Sequence, residues 1–381
     1  MSGKWTVRFF LAMIAVLIFA FFSNDFNLVN VQKTALITAL AIDKNGDEFS
    51  LTAIVANPAA QGDNGGNTSE KNGTSGGGNG YSTVEGKGGT VAEALEDVNA
   101  KTGWYPKLVF CRLLVLGESF CAGNVFDGLD YFLRNEYAAK DTLLAAADGQ
   151  AKEILTAKPP VGGAVSEALE KVLADQPKQV GAVLTANLRE FAISYFSAGK
   201  SDYIPLVSTQ KGENGDLFQA SETALFKDGK RIGKLTKEET FALACVKNPL
   251  RLASYTVEEK GVEKTLLIKN NRRKIQFSVD GDTPKLKVEL TVYADLADKA
   301  ESSPPSDLSM REQNTAVFTA AATSLKEQIE GAFATCTSIG FDAFDAIGKL
   351  QKYENDHFDE FKDSLIERLE FSVSVRFRSI R

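Results

Sequence analysis

From Phe9 to Phe22 the chain carries no polar side chain. At 1.5 Å per residue such a run makes a helix of about 21 Å, and adding Trp5 to Arg8 brings it to about 27 Å, against a ~30 Å hydrocarbon core. Arg8 then sits in the first turn, where its long side chain reaches the headgroups, and Trp5 falls where interfacial aromatics are favoured. A cleaved export signal would end in small residues, yet Phe21, Phe22 and Asn24 stand there with no A-x-A pattern. The pattern therefore predicts an uncleaved signal-anchor helix over residues 1–28, with a cleaved signal and a buried helix as the alternatives. Lys4 and Arg8 precede the run and Asp25 follows it, so the positive flank is expected inside and the rest exported.

Beyond the run the periodicity changes. "TALITALAIDKNGDEFSLTAIVANP" (34–58) reads as two strands joined by a turn at Asn45 and Gly46. The tract 61–80 is glycine, asparagine and serine with little to bury, which predicts an exposed loop. Thr90 and Glu93 form a capping box for a helix to Asn99; "PKLVFCRLLVLG" (106–117) is a strand, "VFDGLDYFLRNEY" (125–137) a helix and "TLLAAA" (142–147) a strand. Tyr131, Phe132 and Tyr137 are expected in the core. Pro159 marks a boundary, Ser166–Ala174 and Asn187–Ser197 read as helices, and "STQKGENGDLFQ" (208–219) reads as a linker.

The last segment has the clearest pattern. A hairpin turns at Asp228 and Gly229, and Thr236 with Glu239 caps a short helix. Leu286, Val288, Leu290 and Val292 alternate with Lys287, Glu289 and Thr291, as Phe371, Val373, Val375 and Phe377 do with Ser372, Ser374, Arg376 and Arg378. Both runs are expected as half-buried antiparallel strands. Between them a helix from Ser309 to about Ser338 carries the stripe Phe318, Ala321, Leu325, Ile329, Ala332 and Cys336. The fold class is α+β and multidomain, with a C-terminal antiparallel sheet packed on one long helix after an N-terminal membrane anchor. The expected divisions are 1–28, the anchor; 29–160, an α/β domain; 161–219, a middle mixed domain; and 220–381, an α+β domain.

Composition narrows the function. The 381 residues are 44% apolar and 24% charged, with a net charge of −7 and no dense basic run, which argues against a nucleic-acid surface. Cys111, Cys121, Cys245 and Cys336 form no C-x-x-C pair and read as buried free thiols, with a Cys111–Cys121 bridge as the alternative. Asp43, Asn45 and Asp47 imitate the start of a calcium loop, but Glu48 and Ile54 stand where glycine and glutamate belong. Gly80 and Gly86–Gly88 imitate a phosphate loop at the wrong spacing. His357, the one histidine, sits among surface charges, and G-x-S-x-G is absent. No catalytic, cofactor-binding or metal-binding residue is assigned. The 50 acidic residues leave a paired-carboxylate hydrolase open, because their pairing in space cannot be read from the chain.

The ordered pieces resemble the Ger(x)C family, the C subunits of spore germinant receptors, from about Val31 to Arg381. "ITALAIDK" (37–44) followed by "LTAIVANP" (51–58) resembles its opening hairpin, and "VEGKGGTVAEAL" (84–95) its helix entry. "LVLGESFCAGNVFDGLDYFLRNEY" (114–137) and "ADGQAKEIL" (147–155) continue in order. "SETALFKDGKRIGKLTKEET" (221–240), "GFDAFDAIGKLQKYENDHFDEF" (340–361) and "EFSVSVRFRSI" (370–380) resemble its carboxyl-terminal domain. Three departures stand out: no lipid-bearing cysteine follows the leader, Asn135 replaces the aspartate of an R-D pair, and Asp345 stands where the family usually has glycine. The resemblance implies a noncatalytic receptor subunit on the outer face of the spore inner membrane, beside A- and B-type subunits and the bilayer, with three mixed α/β domains. No cofactor or nucleic-acid partner is implied, and a small-molecule ligand is left open. A membrane-anchored solute-binding sensor and a cell-wall hydrolase are the rival readings.

Overall fold

The structure is a computed structural model, which describes residues 3–23, 34–56, 80–102, 105–157, 164–179, 183–213, 215–297 and 307–379. The glycine-rich tract up to residue 79, Asp25 and Pro159 lie outside the described residues. The chain divides into two units, residues 1–34 and 35–381.

In the first unit, helix α1 (Gly3–Ser23) covers the apolar run. From Trp5 to Leu17 its described side chains are exposed all round rather than sorted into one buried stripe. Among the described residues no helix is long and apolar enough to cross a membrane.

The second unit opens with β1 (Thr34–Asn45) and β2 (Glu48–Ala56). Asn45 pairs with Glu48, so the turn is Gly46–Asp47, one residue later than expected, and Gly46 takes the positive φ. There follow β3 (Tyr81–Gly88), α2 (Val91–Thr102), β4 (Tyr105–Lys107), β5 (Leu113–Leu116), α3 (Glu118–Cys121) and α4 (Phe126–Arg134). Next come β6 (Leu143–Ala147), α5 (Ala151–Thr156), α6 (Val165–Gln179), α7 (Leu188–Phe196), β7 (Ser201–Gly212), β8 (Gly215–Lys227) and β9 (Lys230–Leu235). These strands make one nine-stranded sheet in the order β3-β2-β1-β5-β6-β7-β8-β9, with β4 paired to β1.

Its middle strands β1, β5, β6 and β7 pair in parallel, as strands separated by helical crossovers must. β5 and β6 read as unbroken apolar runs because both faces are covered. Leu40, Ile42, Leu114 and Leu116 face α2, α4 and α7, while Ala39, Ala41, Leu113 and Val115 face α5 and α6. The segment 106–117, expected as one strand, is divided by a 3-10 turn over Leu108–Phe110. The expected linker 208–219 is instead paired chain: Ser208 lies opposite Gln219 and Gly212 opposite Gly215 in the β7–β8 hairpin. Backbone pairing needs no apolar alternation where a hairpin projects into solvent, so the polar composition concealed it.

The rest of the chain is α8 (Lys237–Lys247), β10 (Ala253–Glu259), β11 (Val262–Asp280), β12 (Thr283–Leu296), α9 (Asp307–Ser338), α10 (Ala346–Tyr353), α11 (Phe358–Phe361), α12 (Leu365–Arg368) and β13 (Glu370–Arg378). Strands β10 to β13 form a second sheet in sequence order. The α9 stripe of Ala321, Leu325, Ile329, Ala332 and Cys336 is buried on the inward face of this sheet with Leu286, Val288, Leu290 and Val292. β13 departs from the antiparallel expectation. It runs parallel to β12, because the helices between them carry the chain back to its starting end.

Candidate functional site

Among the described residues the four cysteines and the buried carboxylates Asp43 and Asp342 are engaged in structural roles. All four cysteines are free and buried, and burial pushes the thiols of Cys111, Cys121 and Cys336 up to about 12 and raises that of Cys245. His357 is half-exposed, 3.7 Å from Glu360. Among the described residues no group of three or more histidine, cysteine or acidic side chains could hold a metal ion. Asp43, first noted for its calcium-loop spacing, is buried at the carboxyl end of β1, where open α/β sheets commonly receive ligands. Its Oδ1 accepts from the amide of Ala151 at 2.8 Å and its Oδ2 from that of Lys152 at 3.0 Å. The carboxylate thus holds the first turn of α5 in the way a bound anion would.

The turn between α9 and α10 joins the two sheets. Past the end of α9, Gly340 takes a φ of 70° that lets its N–H reach Thr337 O and the N–H of Phe341 reach Cys336 O, the Schellman arrangement. Asp342 follows and is 6% exposed. Its Oδ1 accepts from Ala346 at 2.8 Å and Phe344 at 3.3 Å, and its Oδ2 accepts from Ile347 at 2.8 Å. Asp342 therefore caps α10 from outside the usual capping position. Asp345, which occupies that position, makes no side-chain cap and sits at φ 53°, ψ 46°. The left-handed region explains why glycine suits this place, and aspartate is among the few other residues that tolerate it. Phe344 stacks with Phe371 at 5.7 Å, and Phe371 with Phe333 at 4.0 Å. From the first sheet, Lys227 donates to Gly340 O at 2.9 Å, and Ser201 Oγ accepts from the Asp342 amide at 3.3 Å.

Beside this joint, at the start of β7, Asp202 is under strain. Its Oδ1 accepts from the Tyr203 amide, while its Oδ2 is closed off from water. Burial pushes this carboxyl up to about 6, against the Tyr203 amide, Lys247 and the Ser194 hydroxyl, which favour the charged form. Between its ordinary value of 3.8 and about 6 the folded chain holds a proton that the unfolded chain releases, so stability falls as pH rises through that window. Asp202→Asn removes a penalty that operates above pH 6. It is expected to stabilise the chain by about 2 kcal/mol at pH 8 and by almost nothing near pH 4. Urea unfolding at both values checks this; an equal effect at the two would refute it.

A second feature was hidden in the sequence. The register places Arg272, Lys274, Lys287, Arg376 and Arg378 on the outward face of β11, β12 and β13, where all five are exposed. Glu289 lies among them, 2.8 Å from Lys287, and its carboxyl is held below the usual range by Lys287 first, then by Lys274 and Arg376. Residues about a hundred positions apart build this basic face in a chain of net charge −7. Such a face attracts anionic surfaces in a salt-dependent way.

Two family models match in chain order: the spore germination protein N-terminal domain over residues 27–209, and the spore germination B3/GerAC-like C-terminal domain over 221–381. The chain belongs to the Ger(x)C family of germinant receptor C subunits. Spore germination protein B3 of Bacillus subtilis (strain 168) is 21% identical over 295 residues, covering 76% of this chain and 73% of that protein. The crystal structure of the GerBC protein matches 90% of this chain and 97% of its own at 19% identity with a TM-score of 0.56, a likeness of fold.

Proposed function

We propose that the chain is a noncatalytic, extracytoplasmic subunit of a membrane-associated nutrient receptor of spores, working beside A- and B-type subunits. The observation that carries this reading is the pair of family models matched in order across residues 27–381. The buried cysteines, the capping carboxylates Asp43 and Asp342 and the half-exposed His357 beside Glu360 favour a binding role over a hydrolytic one. Residues 1–28 are the tether: the apolar run to Phe22 and the exposed apolar side chains of α1 from Trp5 to Leu17 suit a lipid environment. Confinement near membrane partners raises effective concentration, so weak surface contacts suffice for assembly. The basic face of β11–β13 suits an acidic surface on one of those partners. The division into 29–160, 161–219 and 220–381 is part of the same proposal, and the gap between the matched families, at 210–220, supports its second break.

The test is a chain lacking residues 2–28, expressed in spores in place of the full one. It is expected to fold and to be lost from the detergent-solubilised receptor complex, about a hundredfold at a typical tethering gain. Normal recovery of the truncated chain with the complex would contradict the tether.

A further inference from the structure

The core expectation for Tyr137 fails in an informative way. Phe132 is buried as expected and Tyr131 packs partly against the core, but Tyr137 is 57% exposed. The Asn135 carboxamide accepts from its amide, and the Lys140 ammonium ties Phe132 O and Asn135 O at 2.6 and 2.8 Å, so the chain here is held by hydrogen bonds while the ring stands outward. Across from it the 3-10 turn buries Leu108 and turns Val109 and Phe110 out, 49% and 51% exposed. Lys107 joins the two segments, its ammonium 4.9 Å from the centre of the Tyr137 ring.

These residues occupy one end of the first sheet. Arg112 donates to Thr38 O, Leu143 to Arg112 O and Leu188 to Thr142 O, so the segments carrying Phe110 and Tyr137 lie at the amino-terminal ends of the parallel strands. β1 begins at the same end, at Thr34. Residues 24–33 connect it to α1, and a chain of that length reaches at most about 35 Å. Whatever surface holds the leader is thus within reach of this end of the sheet. The chemistry also fits: an aliphatic side chain, a phenyl ring, a phenol bonded to the Glu136 carboxylate, Lys107 over that phenol, and Arg112 with Asp141 3.5 Å from it. Aromatic rings with nearby lysine and arginine are the residues that settle at the boundary between headgroups and acyl chains.

We propose that Val109, Phe110 and Tyr137, with Lys107, rest on the headgroup boundary of the bilayer that holds the leader, so that the folded unit stands on the membrane by the amino-terminal end of its parallel strands. This rests on the membrane-tether reading of residues 1–28. So small a patch would not hold a free protein on lipid; with the leader inserted, the contact is intramolecular and needs little affinity.

The test uses the full chain in vesicles of equal parts phosphatidylglycerol and phosphatidylcholine, with one nitroxide label at a time on Ile14→Cys, Phe110→Cys or Ser119→Cys. The native thiols are buried, so labelling falls on the introduced cysteine. Ser119 is exposed beyond the carboxyl end of β5 and serves as the distal control. The expected result is relaxation by oxygen exceeding that by a water-soluble nickel chelate at positions 14 and 110, with the order reversed at 119. A lipid-exposed label at 14 with a water-exposed label at 110 would overturn the inference while leaving the tether intact, and would hand the patch to a protein partner. A water-exposed label at 14 would overturn both.

Discussion

Asp342→Ala is expected to lower the stability of the folded unit by about 3 kcal/mol, one of the largest single-residue effects in the chain. The side chain accepts from three backbone amides in a buried turn. Loss of a helix cap costs about 1 kcal/mol, and each buried donor left without an acceptor adds roughly 1–3 kcal/mol, reduced where water can enter. The consequence reaches beyond α10. Phe344 is positioned by the same turn, and through it the ring stack with Phe371 and Phe333. Asp342→Asn keeps one acceptor oxygen and should cost only about 1 kcal/mol. Urea unfolding of the two variants decides the point. Equal, small effects would mean that the turn is held by its apolar contacts and that Asp342 is incidental.

Gly86→Ala is expected to be comparably damaging, about 3 kcal/mol, for a steric reason. A Cβ at Gly86 would lie 2.1 Å from the carbonyl oxygen of Ala94 and 2.7 Å from a Val98 methyl group. β3 passes directly over α2 at this point, and backbone cannot retreat as a flexible side chain can. The adjacent Gly89→Ala meets only a Glu93 carboxylate oxygen at 3.3 Å and should cost well under 1 kcal/mol. Thermal unfolding of the pair checks the account; a mild Gly86→Ala would contradict the close approach. Gly86 and Gly88, part of the spacing that imitates a phosphate loop, therefore have a packing explanation.

Much of the fold was legible because it depends on local periodicity. The alternation in 286–292 and 371–377, the α9 stripe and the boxes Asn187–Glu190 and Thr236–Glu239 all report on neighbours within one turn or one strand. The positive φ values of Asp228 and Gly229 likewise follow from their residue types. What escaped notice depends on partners distant in the chain. Asp43 was legible only as part of a failed calcium loop and Asp342 as an ordinary acidic residue, since the amides that Asp43 caps are over a hundred positions away and the α10 amides that Asp342 caps lie past an unusual left-handed residue. The five cations of the basic face are dispersed over three strands, and no sequence window holds them together. Tyr137 was assigned to the core by its aromatic character, but the Asn135 and Lys140 bonds end the helix before its ring can turn inward.

The departure at Asp345 fits the same physics. Asp345 is left-handed in this chain, and its carboxylate lies over Gly348, where a Cβ would come within 2.3 Å of it.

Protease shaving of protoplasts that express the full chain tests the central claim most directly, by asking on which side of the membrane the folded unit stands. The account predicts that residues 35–381 are digested on intact protoplasts while a cytoplasmic control protein survives. Protection of the whole chain until the membrane is lysed would contradict it.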